Sequence, residues 1–236
     1  MSAFRVFIGY DHREHRAAEV AAASLRRVTN GGIAPTFLKA HKLREMGLLT
    51  RPVDDRGQRY DIVSNAPAST EFAVSRFLTP LLAQEGWALF VDCDVVFRED
   101  PRNMLMYADP RQAVHAVQHE WLLDTTPKMD GQVQTRYPRK NWSSVMLFNC
   151  DHPANSRLSL RDVNERPGRD LHRFYWLHDS EIGSLHPRWN WLVGVQPEAI
   201  YAGQGQGIAH FTLGGPWLEG WKGAEHDDLW LREAAR

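Results

Sequence analysis

Apolar and polar positions along the chain switch repeatedly between a strand-like and a helix-like period. Phe4-Arg5-Val6-Phe7-Ile8-Gly9-Tyr10 is a short apolar, β-branched run of the kind a buried strand shows, and Asp11 with Glu14 three residues on has the spacing of a helix start. Ala17, Val20, Ala21, Ser24, Leu25 and Val28 then recur at helical spacing until Asn30-Gly31-Gly32 ends the element. Pro35 to Ala40 predicts a second strand. Residues 41–68, interrupted by Pro52, Gly57 and Pro67, predict a short helix and an irregular loop. Ser69-Thr70-Glu71 opens a further helix that carries Phe72, Ala73, Phe77, Leu78, Leu81 and Leu82 on one face, bends at Pro80 and stops at Gly86. Trp87-Ala88-Leu89-Phe90-Val91 is apolar at every position, which predicts a strand covered on both faces, and it runs straight into Asp92-Cys93-Asp94.

Beyond that point Val95-Val96-Phe97 resumes the apolar pattern, Asp100-Pro101 starts a short helix through Tyr107, and Ala113 to Gln118 reads as a strand. Trp121 to Asn141 is a long polar stretch, Ser143 to Cys150 a strand, and residues 169–185 one or two helices. Trp189 to Val195 and Ala209 to Phe211 predict two more strands, Leu213-Gly214-Gly215-Pro216 a turn, and Ala224 to Arg236 a closing helix. The alternation predicts an α/β protein, a single domain over residues 1–236 with a mixed, mostly parallel sheet.

Composition narrows the function. The 236 residues carry 28 Lys and Arg against 29 Asp and Glu. Divided at residue 118, the chain has 15 basic and 14 acidic residues before and 13 and 15 after. Neither part offers the positive field that nucleic acid demands, so no nucleic-acid partner is expected. No run approaches the roughly 20 apolar residues that cross a bilayer, and the start lacks a signal peptide's apolar region, so no transmembrane segment and a cytoplasmic location are expected. Cys93 and Cys150 both lie inside apolar runs, which suits free, reduced thiols.

Among 16 Asp, about one Asp-x-Asp is expected by chance, so Asp92-x-Asp94 draws its weight from its place. Carboxylates that follow a buried strand lie at its carboxyl edge, where open α/β sheets bind ligands, and two close oxygens suit a hard cation such as Mn²⁺ or Mg²⁺. The alternative is a solvated acidic turn continuous with Arg98-Glu99-Asp100.

The wider pattern resembles the sugar-nucleotide glycosyltransferases of the glycogenin and bacterial galactosyltransferase type, family 8, which have the Rossmann-like GT-A fold. Tyr10-Asp11 after the opening strand is similar to that family's base- and ribose-binding start. Ser75-Arg76-Phe77 ahead of Asp92-Cys93-Asp94 resembles its basic residue and Asp-x-Asp block, and Asn141-Trp142-Ser143-Ser144 with the strand to Asn149 its acceptor side. Asp179-Ser180-Glu181, with Trp189-Asn190 downstream, resembles the Asp-Gln-Asp start beneath the transferred sugar, and His210 to Trp217 its terminal His block. Where that block has a Lys before Pro-Trp, this chain has Gly215, which leaves Lys222 as the candidate phosphate contact.

The resemblance implies a metal-dependent hexosyltransferase. It would take a nucleotide-diphosphate sugar such as a UDP-hexose, transfer the sugar to a carbohydrate or other hydroxyl acceptor, and retain anomeric configuration. Residues 1–118 would bind the nucleotide and 119–236 the acceptor. Asp92, Asp94 and His210 would hold Mn²⁺ or Mg²⁺, Tyr10, Asp11, Arg76 and Lys222 the nucleotide and phosphates, and Asp179 and Glu181 would serve the anomeric centre. Each residue has a bland alternative: a helix cap for Asp11, Asp179 and Glu181, a solvated helix face for Arg76, and a hydrogen-bonded core imidazole for His210.

Two rival functions fit parts of the chain. Leu89 to Val95 also resembles the first motif of haloacid-dehalogenase-type phosphatases, whose later acidic pair could be matched only by Asp227-Asp228 in the polar closing helix. Eight of the nine tryptophans follow residue 120, as a non-catalytic sugar-binding module would use them, although core packing is the commoner role for so large a side chain. The sugar, base, acceptor and oligomeric state are set by surfaces that spacing does not encode.

Overall fold

The computed structural model describes residues 3–54, 59–119, 142–197 and 206–236. The predicted polar stretch from Trp121 to Asn141 lies outside the described residues. Strand β1 (Phe4–Tyr10) leads through Asp11 into a 3-10 turn, His12–Glu14, and helix α1 (His15–Val28). Asp11 accepts the Arg13 N–H at 3.0 Å and so caps the turn, as the spacing suggested. The helix stops where Asn30 and Gly31 take left-handed backbone, φ 50° and 74°, and the Gly31 N–H reaches back to the Arg26 carbonyl at 2.7 Å.

Strand β2 (Thr36–Lys39) and helix α2 (Ala40–Glu45) follow, and then β3 (Val53–Asp54), β4 (Tyr60–Asp61) and β5 (Ala66–Pro67) form a small antiparallel sheet. Helix α3 (Thr79–Ala83) precedes β6 (Trp87–Val91) and β7 (Val95–Phe97), which flank the two aspartates. The remaining elements are β8 (Val114–Ala116), β9 (Val145–Asn149), α4 (Leu160–Glu165), α5 (Gly168–His172), β10 (Ile182–Ser184), β11 (Trp191–Leu192), β12 (Ile208–His210) and α6 (Asp227–Ala234).

The main sheet has the order β10-β8-β9-β6-β1-β2. Its strands run parallel except β9, which lies antiparallel between β6 and β8 with Val145 opposite Val91 and Met146 opposite Ala116. A strand from the second part of the chain therefore sits among those of the first, and its beginning arrives at the edge where β6 and β8 end. Leu89, Phe90 and Val91 are wholly buried, each contributing about 1.5–3 kcal/mol of apolar burial, which anchors the turn carrying Asp92 and Asp94. A second sheet, β11-β12-β7, is joined to α1 by Ser24, whose hydroxyl accepts the Phe97 N–H at 3.0 Å, and it packs with α6 around Trp191, Phe211 and Trp230.

Several expected elements differ. The helix expected from Ser69 is a series of turns, then a 3-10 turn over Ser75–Leu78 and the short α3, because Pro80 suits a first helical turn and starts an element where the pattern alone suggested a bend. Residues 169–185 contain α5 but end in a strand, β10, too short for its period to register. Helix α4, with its Ser159–Asp162 capping box, was not foreseen. Trp189 to Val195 is a 3-10 turn ending at Asn190, then the two residues of β11 and a turn. Helix α6 starts at Asp227, not Ala224. Cys93 and Cys150 are free thiols, and among the described residues no helix is long and apolar enough to cross a membrane.

Candidate functional site

The carboxyl edge of the main sheet gathers the ends of β1, β6 and β8 and the start of β9. Asp92 and Asp94 lie in the turn from β6 to β7, and β12 pairs antiparallel with β7 so that His210 stands opposite Val95. Asp92, Asp94 and His210 are all buried, and one ligand atom from each lies within 4.8 Å of the others. His210 Nε2 is 3.2 Å from Asp94 Oδ1. Neighbours set the tautomer: the Asn190 amide donates to Ser144 Oγ at 2.9 Å, which turns Asn190 Oδ1 toward His210 Nδ1 at 2.8 Å. Nδ1 therefore carries a proton, and in the neutral ring Nε2 presents its lone pair to Asp94. In that form a cation between the lone pair and the carboxylate oxygen satisfies both, and two carboxylates with one imidazole form a donor set that fits Mn²⁺ or Mg²⁺.

Arg76 is a buried residue, not a solvated one. Gly9 makes room for the segment that carries it: a Cβ there would stand 2.5 Å from the Phe72 ring, so only glycine lets that segment lie against β1. The guanidinium sits over the Phe72 and Phe90 rings at 5.2 and 5.1 Å, and its Nη1 forms an ion pair with Asp92 Oδ1 at 2.9 Å and donates to the Ser143 carbonyl at 2.8 Å. Arg76 thus fixes Asp92 from behind. Beside it His172 bonds Ser143 Oγ at 2.7 Å, and burial, followed by the Arg76 charge, pushes its pKa down to about 3.

Tyr10 and Asp11 reach the same edge from β1. The Tyr10 ring lies under Lys39 Nζ at 4.6 Å and its hydroxyl is 3.1 Å from His15 Nδ1. Burial first, then the charges of Glu71 and Asp11, raise its pKa. Asp11 accepts bonds from Arg13 Nε and Nη2 at 3.0 and 2.6 Å and from the Glu71 N–H at 3.1 Å.

Asp179 and Glu181 stand elsewhere. They precede β10, which runs parallel to β8, and the Ala113 N–H bonds the Glu181 carbonyl. That is the amino edge of the sheet, the side of Trp87. Four strand steps at about 3.3 Å put on the order of 13 Å between it and the Asp92 side along the strands alone. Glu181 accepts the His178 N–H in a capping box and pairs with Arg157, so the cap reading describes it. Where the resemblance implies a helix after this acidic start, the chain forms the strand β10. Lys222 is exposed between β12 and α6, and among the described residues no contact ties it to the Asp92 group. Asp227 accepts bonds from the Trp221 indole and the Ala224 N–H at the start of α6, which packs with the second sheet and does not follow a strand of the main one, as a phosphatase's second acidic pair would. Trp176, Trp189, Trp191 and Trp230 are buried in the core, while Trp121 and Asn141 lie outside the described residues.

Periodicity did not mark three neighbours of the site. His119 follows the end of β8, and burial, then the His210 charge, push its pKa down to about 4. Gln196 lies in the bend after β11 and His172 at the end of α5, and no short motif flags either.

No protein-family model matches the chain. Among solved structures it is similar to the bifunctional glycosyltransferase WbbM, with a TM-score of 0.60 at 13% identity over 100% of this chain and 50% of that one, so it spans half of WbbM's length. It is also similar to the galactosyltransferase LgtC, solved with donor and acceptor sugar analogues, with a TM-score of 0.52 at 14% identity over 98% of this chain and 95% of that one. Sheet order, the lone antiparallel β9 and these neighbours define the GT-A fold of glycosyltransferases. Protein CDI of Arabidopsis thaliana is 43% identical over 241 residues, covering 98% of this chain and 85% of its own. The chain belongs to the family of Protein CDI.

Proposed function

We propose that the chain is a metal-dependent glycosyltransferase of the family 8 kind, which moves a hexose from a UDP-sugar to an acceptor hydroxyl. The observation that carries this reading is the buried group of Asp92, Asp94 and His210, with the imidazole tautomer set for ligation by Asn190 and Ser144. Mn²⁺ or Mg²⁺ held there would neutralise the charge that develops on the leaving diphosphate. Arg76 holds Asp92 in place through their ion pair, Tyr10 and Asp11 at the end of β1 border the nucleotide, and residues 119–236 supply the acceptor side. Lys222 is the candidate phosphate contact from the segment before α6.

Transfer breaks the bond from the anomeric carbon to the diphosphate oxygen and forms one to the acceptor oxygen. If the acceptor attacks from the face the diphosphate leaves, the departing phosphate oxygen takes the hydroxyl proton and configuration is retained, so no enzymic base is needed and the protein's task is placement. Asp179 and Glu181 have no part in this scheme, since they sit at the other edge.

Thermal shift with nucleoside diphosphates and their sugar conjugates, with and without Mn²⁺, tests the reading: a metal-dependent rise with one donor class is expected, and no rise with any of them overturns it. Proton NMR of the first product tests retention, an α-linked product from an α-linked donor being expected. Trapping a phosphoryl group on Asp92 would favour the phosphatase reading instead.

A further inference from the structure

His119 lies three residues beyond the end of β8, at the sheet edge that holds Asp92. Its residue is more than nine-tenths buried, and the Trp142 indole N–H bonds its carbonyl at 3.1 Å. The neighbouring loop decides where its proton sits. The Leu192 N–H donates to Gln196 Oε1 at 3.3 Å, and the Trp191 indole donates to the Gln196 carbonyl at 2.8 Å. The Gln196 amide is thereby oriented with Nε2 toward His119 Nδ1, 3.4 Å away. An amide NH₂ only donates, so Nδ1 must present a lone pair, and an imidazolium would set two donors against each other. The ring is neutral with its proton on Nε2, and that buried N–H has no hydrogen-bond partner among the described residues. His119 and His210 are also close enough for charge on one to oppose charge on the other.

The two imidazoles at this edge are thus held in opposite tautomers. His210 turns a lone pair toward the aspartates, and His119 offers a donor. A protonated Nε2 cannot ligate a metal, and a neutral donor suits an uncharged oxygen better than it offsets a diphosphate's charge.

We propose that His119 donates its Nε2–H to a hydroxyl of the sugar bound beside Asp92, Asp94 and His210, and so helps select that sugar, with Gln196 as the positioning residue. The inference rests on the glycosyltransferase reading above. Calorimetric titration of the Mn²⁺-loaded protein with UDP, UDP-glucose and UDP-galactose tests it. His119→Leu is expected to leave UDP affinity in place and to lower affinity for the bound UDP-sugar about tenfold, and His119→Gln to recover part of the loss, since its amide nitrogen can stand near Nε2. Equal losses for UDP and UDP-sugar, or no loss, overturn the proposal. Binding of none of the three by the wild type fails the transferase reading itself, and is told apart by the absence of any Mn²⁺-dependent signal before a variant is made.

Ring-nitrogen NMR of the ligand-free protein reads the tautomer without any donor, and a proton on Nδ1 would overturn the assignment. Should His119→Leu melt at lower temperature or fail to fold, Gln196→Glu replaces it. The carboxylate draws the proton to Nδ1, and the same selective loss of UDP-sugar over UDP is expected, unchanged selectivity being the overturning result.

Discussion

Asp11, His12 and Glu71 bring their ligand atoms within the same 4.8 Å that gathers Asp92, Asp94 and His210, at the same edge of the same sheet. In the first group Asp11 is wholly buried, but its oxygens already hold the Arg13 guanidinium and two backbone N–H groups, and His12 is 72% exposed on its way to Glu71. A cation is present there as an arginine, so the group closes the β1-to-α1 turn. In the second group Arg76 holds one aspartate from behind, while the imidazole that faces the other is turned by Asn190 so that its lone pair points inward. Equal distances therefore conceal different chemistry. A group is read by where its protons and lone pairs point, more than by how close its atoms lie.

The sharpest way to break this comparison is to remove charge from one group and then the other. Asp92→Asn and Asp94→Asn are each expected to weaken Mn²⁺-dependent nucleotide binding by more than about 100-fold with the far-ultraviolet circular dichroism unchanged. Binding that survives in both would leave the second group with no more claim to a metal than the first. Asn190→Leu leaves the ligands untouched and frees the His210 tautomer, so a loss of about 10- to 100-fold in Mn²⁺ affinity is expected by isothermal titration. The smallest effect belongs to Asp11→Asn, expected to cost about 1–2 kcal/mol of stability while Mn²⁺ affinity holds.

That last variant also has a pH signature. Burial alone would raise the Asp11 carboxyl, but the Arg13 hydrogen bonds and charge, with the backbone N–H groups of Arg13 and Glu71, hold it below its ordinary value. A lowered carboxyl contributes its full stability above the ordinary carboxylate range and loses it as pH falls through the native value. The wild type's advantage over Asp11→Asn in denaturant melts is therefore expected at neutral pH and should fade on acidification. A constant gap would mean that the cap acts without its charge.

Strands that are apolar throughout were legible from sequence. Phe4 to Tyr10, Trp87 to Val91 and the core of Ser143 to Cys150 emerged close to their observed bounds because burial on both faces leaves continuous apolar runs. Asp92 and Asp94 were legible for the same reason, since a buried strand announces the edge at which it ends. Illegible were elements too short to have a period, such as β10 and β11, and side chains whose meaning depends on a partner far along the chain. For Arg76 the spacing leaves a phosphate contact and a solvated helix face level, and its place behind Asp92 between two aromatic rings depends on partners that the local pattern does not contain. Asp179 and Glu181 matched a motif by spacing, and only the direction of the strand that follows them shows that they lie at the amino edge of the sheet.

Between the two aspartates sits Cys93, wholly buried, whose Sγ–H donates to the Glu14 carboxylate at 2.9 Å. Burial first, then the charges of Glu14 and Asp94, raise its pKa well above the ordinary thiol value, whereas Cys150 on the opposite side of the sheet is partly exposed and raised to about 12. Thiol reagents attack thiolates, so in the native protein Cys150 should be modified first and Cys93 only when the turn between β6 and β7 opens. The slow phase of labelling by an aromatic disulfide then becomes a clock for local opening of that turn, and Mn²⁺ together with a nucleotide should slow it further if they clasp the two neighbours of the sulfur.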